Sequence, residues 1–313
     1  MEFDLIARIR ARAAARDDVV LGIGDDAALL QLPPGMQLAV TMDTLNAGVH
    51  FPAATAPADI GWKALAVNLS DLAAMGAQPA WCTLSLSLPG GDAGFVDGFL
   101  DGFLELAALH GIALVGGDTT RGPLSVCVTA HGLVEPERAL RRAGAAPGDD
   151  VWVTGTPGDA AGALAALQAG AAVDRALRAR LDRPQPRVAS GRALAGLASA
   201  CVDVSDGLLA DLGHVCEASG VGASIELDAL PTSPALARFK SELRWPWQAS
   251  GGDDYELCFT APPGRRDAIK HALQAAGETA AARIGRIDVE AGVRALRPDG
   301  AAWTPAVPGY RHF

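Results

Sequence analysis

The apolar positions of this 313-residue chain keep switching between a helical and a strand period, and the switches predict its elements. Phe3, Leu5, Ile6 and Ile9 fall at helical spacing and predict a helix over 3–15. Residues 27–32, the turn Pro33-Pro34-Gly35 and residues 37–41 read as strand, turn, strand. An apolar run behind Thr55 and Pro57 predicts a helix over 57–77, with Asn68 and Asp71, three apart, on one face. Alternation over 81–88 predicts a strand that stops at Pro89-Gly90-Gly91. A helix over 95–110 and strands over 112–115 and 124–134 follow. This β-rich alternation with two interleaved helices makes a first domain, residues 1–137. After a connecting loop from Arg141 to Gly148, residues 138–313 read as a second α/β domain. Its strands are expected at 150–154, 201–204, 223–227, 256–260, 281–287 and 293–297, and its helices at 160–169, 172–181, 185–197 and 208–219. The expected class is α/β of the α+β type, in two domains.

The pattern breaks hardest after the apolar strand at 38–40, where Thr41, Asp43, Thr44, Asn46 and His50 follow at once. Polar side chains at the end of a buried strand are poor core and good ligands. Asp43 needs a partner of opposite charge to be buried, yet the only lysines are Lys63, Lys240 and Lys270. That shortage directs attention to metal ions. Asp stands beside Gly, Ser or Asn again at Gly22-Ile23-Gly24-Asp25-Asp26, Asn68-Leu69-Ser70-Asp71 and Gly116-Gly117-Asp118. Asp203-Val204-Ser205-Asp206-Gly207 and Gly251-Gly252-Asp253-Asp254 repeat the theme. Capping a turn or helix is the ordinary work of any one such site. All of them being caps fits less well, because each adjoins a segment that should be buried.

Composition narrows the classes further. Half of the residues are hydrophobic and the net charge is −10, which excludes a basic track for nucleic acid and attraction to anionic membranes. No run of about 18 apolar residues is present, and the Arg-rich amphipathic start does not read as a signal peptide. The five cysteines lie in apolar segments without a Cys-x-x-Cys pair, which suits free thiols in the cytoplasm. Neither the phosphate loop Gly-x-x-x-x-Gly-Lys-Ser/Thr nor a full dinucleotide loop occurs, and no Ser-His-Asp set or His-Glu-x-x-His pair is visible. Carboxylates without clustered His or Cys favour Mg²⁺ over Zn²⁺. Several such ions shared among aspartates can gather a triphosphate. Arg121, Arg141 and Arg142 can reach phosphate directly or stay solvated on loops, and Thr154-Gly155-Thr156-Pro157-Gly158 reads equally as a phosphate loop or a plain turn.

Taken together, these stretches resemble the thiamine-monophosphate kinase family of the aminoimidazole ribonucleotide synthetase superfamily. The motifs that carry it are Gly22-Ile23-Gly24-Asp25-Asp26, Thr41-x-Asp43-Thr44-Leu45-x-x-Gly48-x-His50-Phe51 and residues 63–77. Gly116-Gly117-Asp118, Val153 to Asp159, Asp203-Val204-Ser205-Asp206-Gly207 and the closing Tyr310-x-His312-Phe313 add to them. The resemblance runs from end to end. It implies ATP-dependent phosphorylation of thiamine monophosphate to thiamine diphosphate, with several Mg²⁺ ions and ATP as co-substrate. It also implies a homodimer whose N-terminal sheets join into a barrel, with the N-terminal domain binding ATP and Mg²⁺. By the same resemblance Asp26, Thr41, Met42 through its carbonyl, Asp43, Asp71, Asp118, Asp203 and Asp206 are metal positions. Gly116, Gly117, Asp118, Arg142 and Ser205 are nucleotide positions, and His50, Asp253 and Tyr310 line the thiamine pocket. Asp253 stands where relatives usually carry Glu, and Trp303 is the rival to Tyr310 as the aromatic wall. Selenophosphate synthetase and the hydrogenase-maturation relative would each need a cysteine that the matching positions lack. Aminoimidazole ribonucleotide synthetase fits the His50 and C-terminal motifs poorly. A nucleotide- and Mg²⁺-binding regulator without turnover is the reading from another class.

Overall fold

A computed structural model of the chain describes residues 2–277, 281–307 and 309–310. The side chain of Phe3 and the terminal Arg311, His312 and Phe313 lie outside the described residues. The chain divides into two compact units, Met1–Leu72 with Ala77–Glu137 and Ala73–Gly76 with Arg138–Phe313.

The first unit runs α1 (Glu2–Arg12), β1 (Val19–Leu21), β2 (Leu29–Leu30), β3 (Gln37–Asn46), α2 (Pro57–Ala74), β4 (Gln78–Leu88), α3 (Ala93–His110), β5 (Ala113–Arg121) and β6 (Ser125–Val134). Four strands form an open sheet in the order β3-β6-β4-β5, parallel only between β4 and β5. A parallel pair needs a long crossover, and α3 supplies it. Asp92 starts that helix by accepting the N–H groups of Gly94 and Phe95, and Gly111 ends it in the left-handed region. Leu84, Leu86, Val126 and Val128 line the buried face of the sheet, and Leu65, Leu69, Phe99 and Phe103 of α2 and α3 are buried with them.

Two strands run further than their apolar residues indicated. β3 does not end near Thr41 but stays in register with β6 from Gln37↔Val134 to Asn46↔Ser125. β5 likewise continues through Gly116, Gly117 and Asp118 to Arg121. Strands at a sheet edge hold their ladder through the backbone and need no apolar side chain on the open face. The expected strand at 27–32 shrinks to β2, which pairs with β1 instead of with 37–41. Among the described residues this sheet is open and forms no closed barrel; β3 and β5 are its two edges.

The second unit contains β7 (Asp150–Val153), α4 (Asp159–Gln168), α5 (Arg175–Asp182), α6 (Val188–Leu194), β8 (Ala200–Val204), α7 (Leu208–Ser219) and β9 (Gly222–Glu226). It continues with α8 (Ser241–Ser250), β10 (Glu256–Ala261), α9 (Arg266–Ala275), β11 (Ala282–Asp288), β12 (Gly292–Leu296) and β13 (Ala302–Trp303). Its seven-stranded sheet has the order β13-β12-β9-β11-β7-β10-β8. Every residue of β7, β8 and β10 is buried, so apolar residues fill both faces, with one buried acid in each strand: Asp150, Asp203 and Glu256. Val151, Val202, Val204, Leu208, Leu212, Ile225 and Ile284 are central to one core. Helices α8 and α9 were not legible. Pro246 interrupts the pattern of α8, and α9 buries only Ile269 and Leu273.

Candidate functional site

In the first unit the site grows from β3 and α2. Pleating sends Thr41, Asp43 and Leu45 to the α2 side of β3 and leaves Leu38, Val40 and Met42 exposed on the other. Asn68, fully buried on α2, accepts the backbone N–H of Asp43 at 3.1 Å and donates to the Ala64 carbonyl at 3.0 Å. The Thr41 hydroxyl donates a short hydrogen bond to Asp71 Oδ2. Thr41, Asp43 and Asp71 are therefore brought to one side of the edge strand, with Asn68 fixing the backbone between them. His50 follows in the turn after β3. Its Nδ1 accepts the Asn46 N–H at 2.9 Å, which places the proton of a neutral ring on Nε2. Lys63, buried on α2, donates to the His50 carbonyl at 3.1 Å and holds this turn.

Other expected residues of this unit stand apart. Asp26 is exposed in the loop after β1, its N–H donated to Asp25 Oδ1 at 2.9 Å. Gly116, Gly117 and Asp118 lie on β5, three strand spacings or roughly 14 Å from β3. The register puts Asp118 in the row of Ser85, Cys127 and Thr44, on the face away from Asp43. Gly117 has φ 149°, and a Cβ there would sit 1.9 Å from the Leu84 carbonyl oxygen, so no side chain fits.

In the second unit β8 ends in Ser205-Asp206-Gly207, and β10 beside it begins after the loop 251–255. The Ser205 carbonyl accepts the Asp253 N–H at 2.9 Å, and the Val204 carbonyl accepts that of Tyr255 at 2.8 Å. A Cβ on Gly252 would lie 2.4 Å from the Ser205 oxygen, so glycine permits the approach. The Asp206 carbonyl accepts the Tyr310 N–H at 2.9 Å. Ser205, Asp206, Asp253 and Tyr310 are thus drawn together, with Asp203 buried on β8 just behind. Asp253 and Tyr255 both adopt positive φ, 70° and 52°, and the Tyr255 hydroxyl donates to Asp253 Oδ1 at 3.0 Å. Non-glycine residues held in that region mark a loop constrained by its surroundings. Arg142 is not brought to this group. Its carbonyl accepts from Ser219 at the far end of α7, a 12-residue helix about 18 Å long.

Sequence reasoning missed the residues beneath the site. Asp211 accepts three backbone N–H groups from the Ser205–Gly207 turn. Burial, with the charge of Asp206, pushes its carboxyl up to about 7 against those bonds. Asp254 is buried and accepts the Gly158 N–H at 2.8–2.9 Å; burial holds its carboxyl well above the usual range. Glu256 is fully buried between Arg180 at 2.6 Å and Arg187 at 2.6 and 2.7 Å, and accepts the Thr154 hydroxyl at 2.6 Å. Burial alone would raise its carboxyl, but the two arginines outweigh it and leave Glu256 below its ordinary value. An acid in the first turn of α7 was a legible signal for Asp211; the arginine partners of Glu256, some 70 residues away, had none.

Among the described residues no three His, Cys, Asp or Glu side chains are preassembled to hold a metal ion. The donor set still suits Mg²⁺, which keeps waters and takes one or two carboxylates together with substrate phosphates. Pairs such as Asp43 with Asp71, and Asp203 with Asp206, offer hard oxygens of that kind.

Comparison with known proteins defines the class first. Residues 24–134 match the AIR synthase related protein N-terminal domain, and residues 146–296 match the corresponding C-terminal domain. The chain is 49% identical over 323 residues to the thiamine-monophosphate kinase of Salmonella typhimurium, covering 100% of this chain and 98% of that one. The crystal structure of thiamine-monophosphate kinase from Stenotrophomonas maltophilia K279a superposes with a TM-score of 0.89 at 55% identity, over 96% of this chain and 98% of that one. AaThiL complexed with AMPPCP and TMP gives a TM-score of 0.79 at 32% identity, over 99% and 96%. The two-domain fold is that of the AIR synthase-related proteins. Within that class, the chain belongs to the thiamine-monophosphate kinase family.

Proposed function

We propose that this chain transfers the γ-phosphoryl group of ATP directly to thiamine monophosphate, giving thiamine diphosphate and ADP with the help of Mg²⁺. The observation that carries the reading is the meeting of Ser205, Asp206, Asp253 and Tyr310 at the adjoining ends of β8 and β10, in a chain of this family. A relative that holds AMPPCP and TMP together supports the pair of substrates.

Asp26, Asp43, Asp71, Asp118, Asp203 and Asp206, with Thr41 and the Met42 carbonyl, are the residues to hold Mg²⁺. When bound, the ions would neutralise charge on the transferring phosphoryl group. Asn68 and Thr41 keep Asp43 and Asp71 facing one way before any ligand arrives. Gly116, Gly117, Asp118, Arg142 and Ser205 serve the nucleotide. His50, Asp253 and Tyr310 serve thiamine monophosphate. The permanent positive charge of the thiazolium ring suits the Asp253 carboxylate, and the Tyr310 ring offers a face worth roughly 0.5–2 kcal/mol to a cation. Asp253 reaches one methylene less far than the usual Glu, and Tyr255 steadies it at 3.0 Å. The acceptor phosphate has a second pKa of about 6 and is already a dianion near neutral pH, so no side chain is needed as general base.

The N-terminal domain, residues 1–137, binds ATP and Mg²⁺ and dimerises; residues 138–313 form the C-terminal α/β domain. Leu38, Val40 and Met42 are 41, 58 and 62% exposed on an edge strand, a surface that a second copy can cover. In the dimer the two open sheets join into a barrel. A cytoplasmic setting fits the five free thiols. The test is ADP release that depends on both thiamine monophosphate and Mg²⁺, from protein that sediments as a dimer. ATP turnover indifferent to thiamine monophosphate overturns the reading.

A further inference from the structure

The turn that presents Ser205 and Asp206 is held from beneath by a residue with no assigned role. Asp211 lies in the first turn of α7 and is 2% exposed. Its Oδ2 accepts the backbone N–H groups of Ser205, Asp206 and Gly207 at 3.0, 3.1 and 3.1 Å. Gly207 precedes the helix without offering a side-chain cap, so Asp211 takes donors that the chain would otherwise leave unpaired. The carbonyls of the same turn point the other way. That of Ser205 accepts from Asp253, and that of Asp206 accepts from Tyr310. One face of the turn is thus fastened to Asp211 and the other carries the backbone of both thiamine-pocket residues.

We propose that Asp211 is the positioning residue of this site: by gathering three successive N–H groups onto one oxygen, it fixes both the direction of Asp206 and the placement of Asp253 and Tyr310. The inference rests on the reading of Asp206 as a metal-holding residue and of Asp253 and Tyr310 as substrate contacts. Asp211 is buried and acts through the turn. The geometry uses an acceptor oxygen and not a charge. Asp211→Asn keeps that oxygen in the same volume, whereas Asp211→Ala deletes it and leaves three buried donors unpaired.

The experiment uses the full chain with Mn²⁺ as the probe ion, titrated by electron paramagnetic resonance in the presence of AMPPCP. KM for thiamine monophosphate and kcat are measured beside it. Asp211→Ala is expected to weaken Mn²⁺ binding and raise KM by at least about tenfold each, as loss of three hydrogen bonds to the turn allows. Asp211→Asn is expected to stay within about threefold of the parent, since it retains the acceptor. A merely structural role lowers the folded fraction, and with it kcat, but leaves Mn²⁺ affinity and KM of the folded molecules unchanged. Asp206→Asn separates the two levels of the reading. If it weakens Mn²⁺ binding while Asp211→Ala does not, the positioning role is overturned and the site stands. If Asp206→Asn binds Mn²⁺ as the parent does, Asp206 holds no ion and the proposal falls with that assignment. Should Asp211→Ala fail to fold, Asp211→Asn decides alone: parent-like binding supports an acceptor role, and a loss of about tenfold or more refutes it.

Discussion

Replacing Glu256 by Gln tests whether the second unit depends on a buried charge network directly behind the site. The Glu256 carboxylate is fully buried and meets Arg180 once, Arg187 twice and the Thr154 hydroxyl, all at 2.6–2.7 Å. Gln keeps the volume but removes the negative charge and turns one acceptor oxygen into a donor facing guanidinium N–H groups. Arg187 is 11% and Arg180 18% exposed in their side chains, so neither regains full hydration in place. Breaking one partner of such a buried pair costs about 3–5 kcal/mol. In a unit of this size each kcal/mol lowers Tm by roughly 2–4 °C, so the expected fall is on the order of 10 °C. Thermal unfolding followed by circular dichroism at neutral pH reads it. The control is Glu290→Gln, whose carboxylate is 87% exposed and stands 3.6 Å from Arg294; it should move Tm by less than about 1 °C. A Glu256→Gln protein that melts within about 2 °C of the parent would refute the reasoning. The arginines would then be satisfied by solvent.

Three further outcomes are expected. Asp71→Asn should cost at least ~10²-fold in turnover while leaving the fold intact, because a charge that organises the transferring phosphates is removed; near-parent turnover in a folded variant excludes Asp71 from the site. Asp253→Asn and Tyr310→Ala should each raise KM for thiamine monophosphate and leave that for ATP nearly unchanged, and parallel losses for both substrates would place the thiamine pocket elsewhere. Burial holds the carboxyl of Asp254 well above the ordinary carboxylate range, so the folded state favours its protonated form. Its contribution to stability is full below about pH 4 and is lost as pH rises through the higher folded value. Asp254→Asn imitates the neutral form and should therefore gain stability relative to the parent between pH 4.5 and pH 8; a Tm difference independent of pH would contradict this.

The fold was legible where burial dictates residue type. The mostly apolar, fully buried β7, β8 and β10 and the dense cores of α2 and α3 gave their elements directly. It was illegible where backbone pairing alone continues an element, as in β3 beyond Thr41 and β5 beyond Val115. Helix α9 carries a helical stripe of Ile269, Ala272 and Leu273 at i, i+3 and i+4, but one only two turns long. The candidate aspartates were visible because Asp recurs beside Gly, Ser or Asn at more buried edges than capping alone accounts for. Which of them meet was not visible. Asp253 and Asp206 adjoin because β8 and β10 pair antiparallel, whereas Asp43 and Asp118 occupy opposite edges and faces of one sheet. Asp211 gave one cue, as an acid in the first turn of α7, whereas the partners of Asp254 and Glu256 are a backbone group and distant arginines that carry no local signature.

The most direct measurement of the central claim is the fate of the γ-phosphate itself. ATP labelled in that position is incubated with the chain, Mg²⁺ and thiamine monophosphate, and the products are separated by chromatography. The account requires the label to appear in thiamine diphosphate, one for each ADP formed, and to vanish from that product when Mg²⁺ is chelated. Label found only in free phosphate, with thiamine monophosphate recovered unchanged, would contradict it.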